Sequence, residues 1–310
     1  MNLTRVAPLL TLLAIAPAAQ AEPGPAQPSD AAPLAQPVAT DFAIRGELEQ
    51  GGWIRGRLPA GTVAAALGST PLAFDENGNF FAAFDRDQDG ALRLSATRQD
   101  GQVVARDLSV KPRDWNIERV NAPLRPGRSS EAFMERRRPE LEAIWAAREK
   151  DTRSEGWRQD FIWPAKGRIS GRFGSQRIYQ GQPGSYHSGL DIAGGDGTTY
   201  VAPAAGTVVL AVRGFSLEGN LLIIDHGQGL NSAFLHSSEL FVKEGDRVEQ
   251  GQPLGRIGAS GRATGPHLHW SLKWRDARLD PLLFLPPCDE CGGAARAARL
   301  GALPSCDPPA

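Results

Sequence analysis

The chain has 310 residues, 41% hydrophobic and 22% charged, a balance that excludes disorder along its whole length and leaves room for about two domains. Lys and Arg number 34 against 35 Asp and Glu, so the formal charge of −1 gives no basic footprint for nucleic acid and no polybasic membrane patch. With 35 Gly and 24 Pro, turns are frequent and short β-strands are favoured over long helices.

Residues 1–21 read as an export signal. Arg5 supplies the positive end, Val6 to Ala16 is an apolar run too short to cross a bilayer, and Ala19-Gln20-Ala21 is an A-x-A cleavage site. No Cys follows it, and no later apolar run has transmembrane length. The expectation is an exported protein of the periplasm or cell envelope, or a secreted one. Residues 22–40, with Pro23, Pro25, Pro28, Pro33 and Pro37, read as an extended linker.

In residues 41–113 short apolar stretches alternate with turns at Gly51-Gly52, Asn77-Gly78, Asp89-Gly90 and Asp100-Gly101, which predicts a small β-sandwich-like domain. Asp85, Asp87, Asp89 and Gly90 open like a calcium loop. The twelfth position is Ala96 where a bidentate Glu is needed, so the stretch reads as a solvated turn. Residues 114–158 read as a linker holding a helix over 129–150. Ser130 and Glu131 start it, and Phe133, Met134, Leu141, Ile144 and Trp145 give an apolar stripe, with Pro139 inside. It is expected to connect the domains along a surface. Residues 159–286 return to β pattern, with strands expected around Ile169, Tyr200, Thr207 to Val212, Leu221 to Ile224, Ala233 to Leu235 and Leu268 to Trp274. The tail, 287–310, carries all three cysteines. Cys288 and Cys291 are spaced C-x-x-C, with Cys306 beyond. No second half of a zinc site accompanies the pair, and a tail disulfide is the plainer reading.

All five histidines fall between His187 and His269. Imidazole is the commonest metal ligand and titrates near neutral pH, so the clustering calls for a local cause. His187 and Asp191 are spaced H-x-x-x-D. Gly184, Gly189, Gly194 and Gly195 argue against a helix there, leaving a strand end or tight loop to unite the two side chains. His267 and His269 are spaced H-x-H, which in a strand puts both imidazoles on one face. His187, Asp191 and one histidine of that pair would make three protein ligands, the number a catalytic zinc takes while keeping one position open. His236 and the other histidine would then be free to move protons or stabilise charge.

Residues 161–285 resemble the lysostaphin-type, or LytM-type, zinc metalloendopeptidases that hydrolyse peptidoglycan. The likeness rests on Tyr186-His187-Ser188-Gly189-Leu190-Asp191-Ile192-Ala193, on Val201 to Val208, on Ile224-Asp225-His226-Gly227, on Phe234-Leu235-His236, on Lys243 to Val248, and on Gly261 to His269. It implies a mainly β fold: a C-terminal antiparallel β-sheet peptidase domain with a groove, preceded by the small β-sandwich-like domain and the connecting helix. It implies one zinc ion per chain on His187, Asp191 and His269. His236 and His267 would be catalytic, positioning and deprotonating water and stabilising the tetrahedral intermediate, and His226 would be structural. Phe234 stands where a Tyr is common, so one hydroxyl is expected to be missing from the cleft. The partners implied are stem or cross-bridge peptides of peptidoglycan, with the D-alanyl–diaminopimelate bond the choice in an envelope lacking Gly cross-bridges, and the chain acting as a monomer. No H-E-x-x-H helix supplies a Glu base, so histidine must fill that role.

Two rivals stand beside the enzyme. One is a regulator of cell-wall amidases, silent or latent, in which the N-terminal part covers the groove; no envelope partner can be named from the residues. The other is a carrier domain, suggested by the hairpin-like stretch Val242 to Ile257, but that stretch offers no suitably placed Lys for modification.

Overall fold

A computed structural model describes residues 40–123 and 130–287. The export signal, nearly all of the Pro-rich linker and the cysteines of the tail lie outside the described residues. In chain order the elements are β1 (Ala43–Gly46), β2 (Trp53–Arg57), β3 (Thr62–Leu67), β4 (Thr70–Pro71), β5 (Asn79–Ala83), β6 (Ala91–Arg98), β7 (Val103–Ser109), β8 (Ile117–Val120) and α1 (Glu131–Glu149). After α1 come β9 (Arg168–Gly171), β10 (Gln176–Tyr179), β11 (Gln182–Pro183), β12 (Leu190–Ala193), β13 (Thr199–Val201), β14 (Gly206–Phe215) and β15 (Gly219–Gly227). The last strands are β16 (Leu230–Ser237), β17 (Glu239–Leu240), β18 (Arg247–Val248), β19 (Pro253–Arg256), β20 (Leu268–Trp274) and β21 (Ala277–Leu279). The protein is mainly β and largely antiparallel. Among the described residues no helix is long and apolar enough to cross a membrane.

The first seven strands form two small sheets, β1-β2-β5 and β4-β3-β6-β7. Turn chemistry sets their hairpins: Asp75 Oδ1 accepts the N–H groups of Asn77 and Asn79, both at 2.8 Å, and so closes the turn before β5. The Asp85 loop is likewise a hydrogen-bonded turn. Its Oδ1 accepts the Asp87 N–H at 3.0 Å and its Oδ2 accepts the Arg278 N–H at 2.9 Å.

The large sheet has the order β18-β14-β15-β16-β20-β12-β9, with β21 also paired to β20. Its strands alternate. Leu222, Ile224, Phe234, Leu268, Trp270 and Leu272 are buried in one continuous core. That core also takes Trp53, Phe80 and Phe81 from the N-terminal sheets, and the Trp53 indole donates to the Leu283 carbonyl at 2.8 Å. Burying such a run of aromatic and branched side chains is what holds these layers together. Between the two halves, β8 pairs in parallel with β10, so residues 117–120 build part of the C-terminal architecture.

The helix runs from an N-cap at Ser130, whose hydroxyl accepts the Phe133 N–H at 3.2 Å. Its contacts differ from the apolar stripe expected from sequence. Met134 and Trp145 are 47% and 59% exposed, while Arg137 and Ala147 are the buried positions. Ala147 and Ile144 pack on Val209, Leu210, Leu221, Ile223 and Ala233, on the opposite face of the large sheet from the main core. The rest of the attachment is polar. Arg137 meets Glu218 through two 2.6 Å bonds, and Glu140 accepts the Ser216 N–H at 2.8 Å. The helix therefore lies across the second face of the sheet.

Candidate metal centre

The pairing of β12 with β20 sets Asp191 opposite His269, and the pairing of β16 with β20 sets Leu235 on the other side of His269. Period-2 alternation sends Leu268, Trp270 and Leu272 to the core and leaves His269, Ser271 and Lys273 on the face that carries α1. His187 lies in the loop entering β12. Its N–H donates to the Ser175 carbonyl at 2.8 Å and its carbonyl accepts the Gly174 N–H at 2.9 Å, which clamps the loop.

Three side chains converge there. His187 Nε2 is 3.0 Å from Asp191 Oδ1, His269 Nδ1 is 2.8 Å from the same oxygen, and the two nitrogens are 3.1 Å apart. A second pair of histidines stands beside them. His267 Nε2 is 3.8 Å from Asp191 Oδ1, and the His236 and His267 rings are 5.0 Å apart between centroids.

Backbone carbonyls decide which nitrogens carry protons. His187 Nδ1 donates to Arg172 O at 3.0 Å, His236 Nδ1 to Ser260 O at 2.9 Å, and His267 Nδ1 to Gly265 O at 2.9 Å. Each of these rings in its neutral form presents a lone pair at Nε2. The centre thus gathers three ligand atoms, His187 Nε2, His269 Nδ1 and an Asp191 oxygen, and His187 Nε2 presents a lone pair when its ring is neutral. A cation satisfies such a set. The edges of 2.8 to 3.1 Å are near the roughly 3.3 Å expected between ligands of a tetrahedral ion with bonds of about 2.0–2.1 Å. The donor set, two imidazoles and one carboxylate, fits a zinc-class divalent ion.

Burial alone would raise Asp191, but hydrogen bonds from His187 and His269 outweigh it and hold the carboxyl far below its usual range. Burial lowers His269 and His236, keeping both neutral near pH 7. His187 is pulled down by burial and pushed up by Asp191, with a net rise.

Two glycines admit these side chains. A Cβ on Gly189 would lie 2.7 Å from His269 Nε2 and 2.6 Å from the Trp270 carbonyl, and one on Gly171 would lie 2.3 Å from Asp191 Oδ2. His236 adopts φ +66°, a left-handed conformation unusual for a side-chain-bearing residue. Its N–H, donating to Glu218 O at 2.9 Å, and its ring bond to Ser260 hold it there.

Residues 185–281 match the family model described as Peptidase family M23. This part of the chain belongs to peptidase family M23. A solved structure from Pseudomonas aeruginosa assigned to peptidase M23 superposes with a TM-score of 0.58 at 27% identity, covering 77% of this chain and 95% of that one. The peptidoglycan DD-endopeptidase ShyA of Vibrio cholerae is 38% identical over 109 residues, 35% of this chain and 25% of that protein. The murein hydrolase activator NlpD of Escherichia coli is 32% identical over 124 residues, 40% of this chain and 31% of that protein. The chain thus spans only a quarter to a third of the length of these two relatives.

In the M23 domain His226 stands apart from the centre. It is fully buried, Nδ1 meets Ala205 O at 2.8 Å, and Nε2 meets the Ser232 hydroxyl at 2.7 Å, so both nitrogens are used. Phe234 corrects an expectation. It lies in the core, stacked on Tyr200 at 5.4 Å, so a hydroxyl there would not enter the cleft. Its register partner is Trp270, and Leu235 is the neighbour of His269.

Two cavities meet the centre. One, of about 840 Å³, includes Tyr179, Tyr186, His187 and Arg262, with Asn116 and Glu118 supplied from around β8. The other, of about 200 Å³, lies between β20 and α1 and includes Ser188 and His269. Sequence reasoning passed over the carbonyls of Arg172, Ser260 and Gly265 that orient the imidazoles, because main-chain acceptors leave no mark on residue type. It also passed over Gly171, and it used Gly189 only as an argument against a helix, not as room for His269. Gly189 was signalled by its place inside the His187–Asp191 spacing.

Proposed function

We propose that the protein is a zinc-dependent endopeptidase of the bacterial cell envelope, exported by residues 1–21, that cleaves peptide cross-links or stem peptides of peptidoglycan. The observation that carries this reading is the convergence of His187 Nε2, His269 Nδ1 and Asp191 Oδ1 within 3.1 Å of one another, beside His236 and His267. Likeness to a DD-endopeptidase supports the substrate class.

His187, Asp191 and His269 would hold the zinc, which when bound supplies a Lewis acid and makes water acidic near neutral pH. The chain's own residues do the rest. His267, with its Nε2 toward Asp191, accepts the proton of the attacking water and returns it to the departing amide nitrogen. His236 sits beside it, and its neutral Nε2 would accept a hydrogen bond from the attacking water and so position it. Their Nδ1–H bonds to Gly265 and Ser260 keep both rings from turning away.

A second reading, activation of other cell-wall hydrolases, is favoured by the likeness to the NlpD activator. The convergent ligand atoms weigh for the enzyme, since a docking surface has no need of them. Digestion of purified cross-linked sacculi, with mass spectrometry of the released fragments, tests the two. Newly cleaved peptide bonds that vanish in His267→Ala and on chelation are expected. Products that arise only when an amidase is added, and that survive His267→Ala, would establish the activator instead.

A further inference from the structure

The smaller cavity beside the centre carries charge that the proposed reaction does not use. It lies between β20 and α1, and three cations line it: Arg148 from the helix, Lys273 from β20 and Arg278 from β21. The acid in its lining, Glu218, is already engaged by Arg137 through two 2.6 Å bonds. The three cations have no such partner. Arg148 donates to the neutral Asn231 amide oxygen at 2.6 Å, and Arg278 donates to the Tyr186 hydroxyl at 3.2 Å. The Lys273 ammonium has no hydrogen bond or ion pair among the described residues. Asp85 and Asp276 act on it only through space, and Asp85 already accepts the Arg278 N–H.

Burial, and then the nearby Arg148, lower Lys273 from its ordinary value, whereas Tyr186, Asp85 and Asp87 raise Arg278. A protein of net charge −1 does not draw acidic peptides by its overall field. Recognition of a negative group must be local, and here a local surplus of positive charge opens beside His269. The cavity's volume of about 200 Å³ admits one side chain, and Ile144 and Trp145 give it an apolar wall for methylene groups.

We propose that this cavity is a specificity subsite for a free carboxylate on the substrate residue adjoining the scissile amide, with Lys273 and Arg278 from the M23 domain and Arg148 from α1 as its donors. The inference rests on the endopeptidase reading and adds the chemistry of its substrate. It also gives α1 a task. The helix lies outside residues 185–281, so a segment preceding the M23 domain contributes a recognition residue to it. Charge-assisted bonds to a carboxylate in a part-buried site are strong enough to discriminate acid from amide.

The test uses the zinc-loaded chain and a stem-peptide dimer joined by a D-alanyl–diaminopimelate amide, prepared as the free acid and as the diaminopimelate carboxamide. Binding is measured by calorimetry on the His267→Ala form, and cleavage on the unaltered chain. The free acid is expected to bind about tenfold more tightly than the carboxamide. Lys273→Gln and Arg148→Gln should each remove most of that ratio, raising KM for the acid with little change in kcat. Lys273→Gln breaks no hydrogen bond of the fold, so it keeps the test sound if the helix variant is unstable. Equal binding of acid and carboxamide, no binding of either, or an unchanged ratio in Lys273→Gln overturns the subsite. Preferential binding of the acid without cleavage leaves the subsite standing and removes the endopeptidase reading. Equal cleavage of both forms does the reverse.

Discussion

Two histidine environments on one sheet show what separates a structural imidazole from a chemical one. His226 and the His187–Asp191–His269 group both involve the large sheet and both are largely enclosed. At His226 every polar atom has one partner: a carbonyl on one nitrogen and a hydroxyl on the other. At the metal centre the carbonyl partner is present for His187, but its Nε2 and the His269 Nδ1 crowd one Asp191 oxygen and each other. Burial is similar, and satisfaction is what differs. A saturated imidazole stabilises the fold, whereas an unsaturated set seeks a ligand.

The comparison is broken most sharply by deleting one member of each set. His269→Ala or Asp191→Ala is expected to abolish bound zinc, read by metal analysis, and to lower cleavage by more than about a thousandfold. The fold should persist, because these side chains face the cleft and not the core. His226→Ala should leave the zinc content of the folded protein unchanged while lowering its melting temperature. Loss of zinc in His226→Ala, or its retention in His269→Ala, would erase the distinction.

Acid should separate the two sites as well. Burial pulls His226 down to about 4, from an ordinary 6.5. Between those values the unfolded chain binds a proton that the folded chain refuses. Its contribution to stability is therefore complete above about 6.5 and is lost as pH falls toward 4, a change of about 3 kcal/mol. Chemical denaturation at stepped pH should show this slope, and it should flatten in a variant with Phe at position 226. If the slope persists there, it arises elsewhere.

A smaller effect comes from the space around the ligands. In Gly189→Ala the new methyl would press on His269 and on the Trp270 carbonyl, so the imidazole must shift. A displaced ligand should weaken zinc binding by about ten- to a hundredfold, and the clash with the Trp270 carbonyl should lower stability as well. Competition with a graded series of chelators reads this directly, and unaltered affinity would show that the loop yields more easily than its packing suggests.

Much of this was legible in the sequence, for physical reasons. The H-x-H spacing fixes two imidazoles near one strand end, and Gly-rich surroundings exclude the helical reading of His187 and Asp191. The place of α1 was not legible. Its strongest attachment joins Arg137 to Glu218, 81 residues away, and such ion pairs leave no periodicity. The exposed Met134 and Trp145 instead suggested an apolar face that the helix does not bury.

Phe234 shows the same limit at a single residue, and supplies the finest test. In a regular strand Phe234 and His236 would share a face, so a cleft histidine implies a cleft phenylalanine. The left-handed backbone at His236 ends that alternation and turns its ring to the cleft, while Phe234 stays in the core beside Tyr200. Phe234→Tyr therefore places a hydroxyl in apolar packing, not among the catalytic groups. It should lower stability by about 1–2 kcal/mol in denaturant titration and leave kcat and KM on cross-linked peptides unchanged. A changed kcat with unchanged stability would instead put position 234 on the cleft side and tie the two faces of the sheet more closely than the backbone at His236 allows.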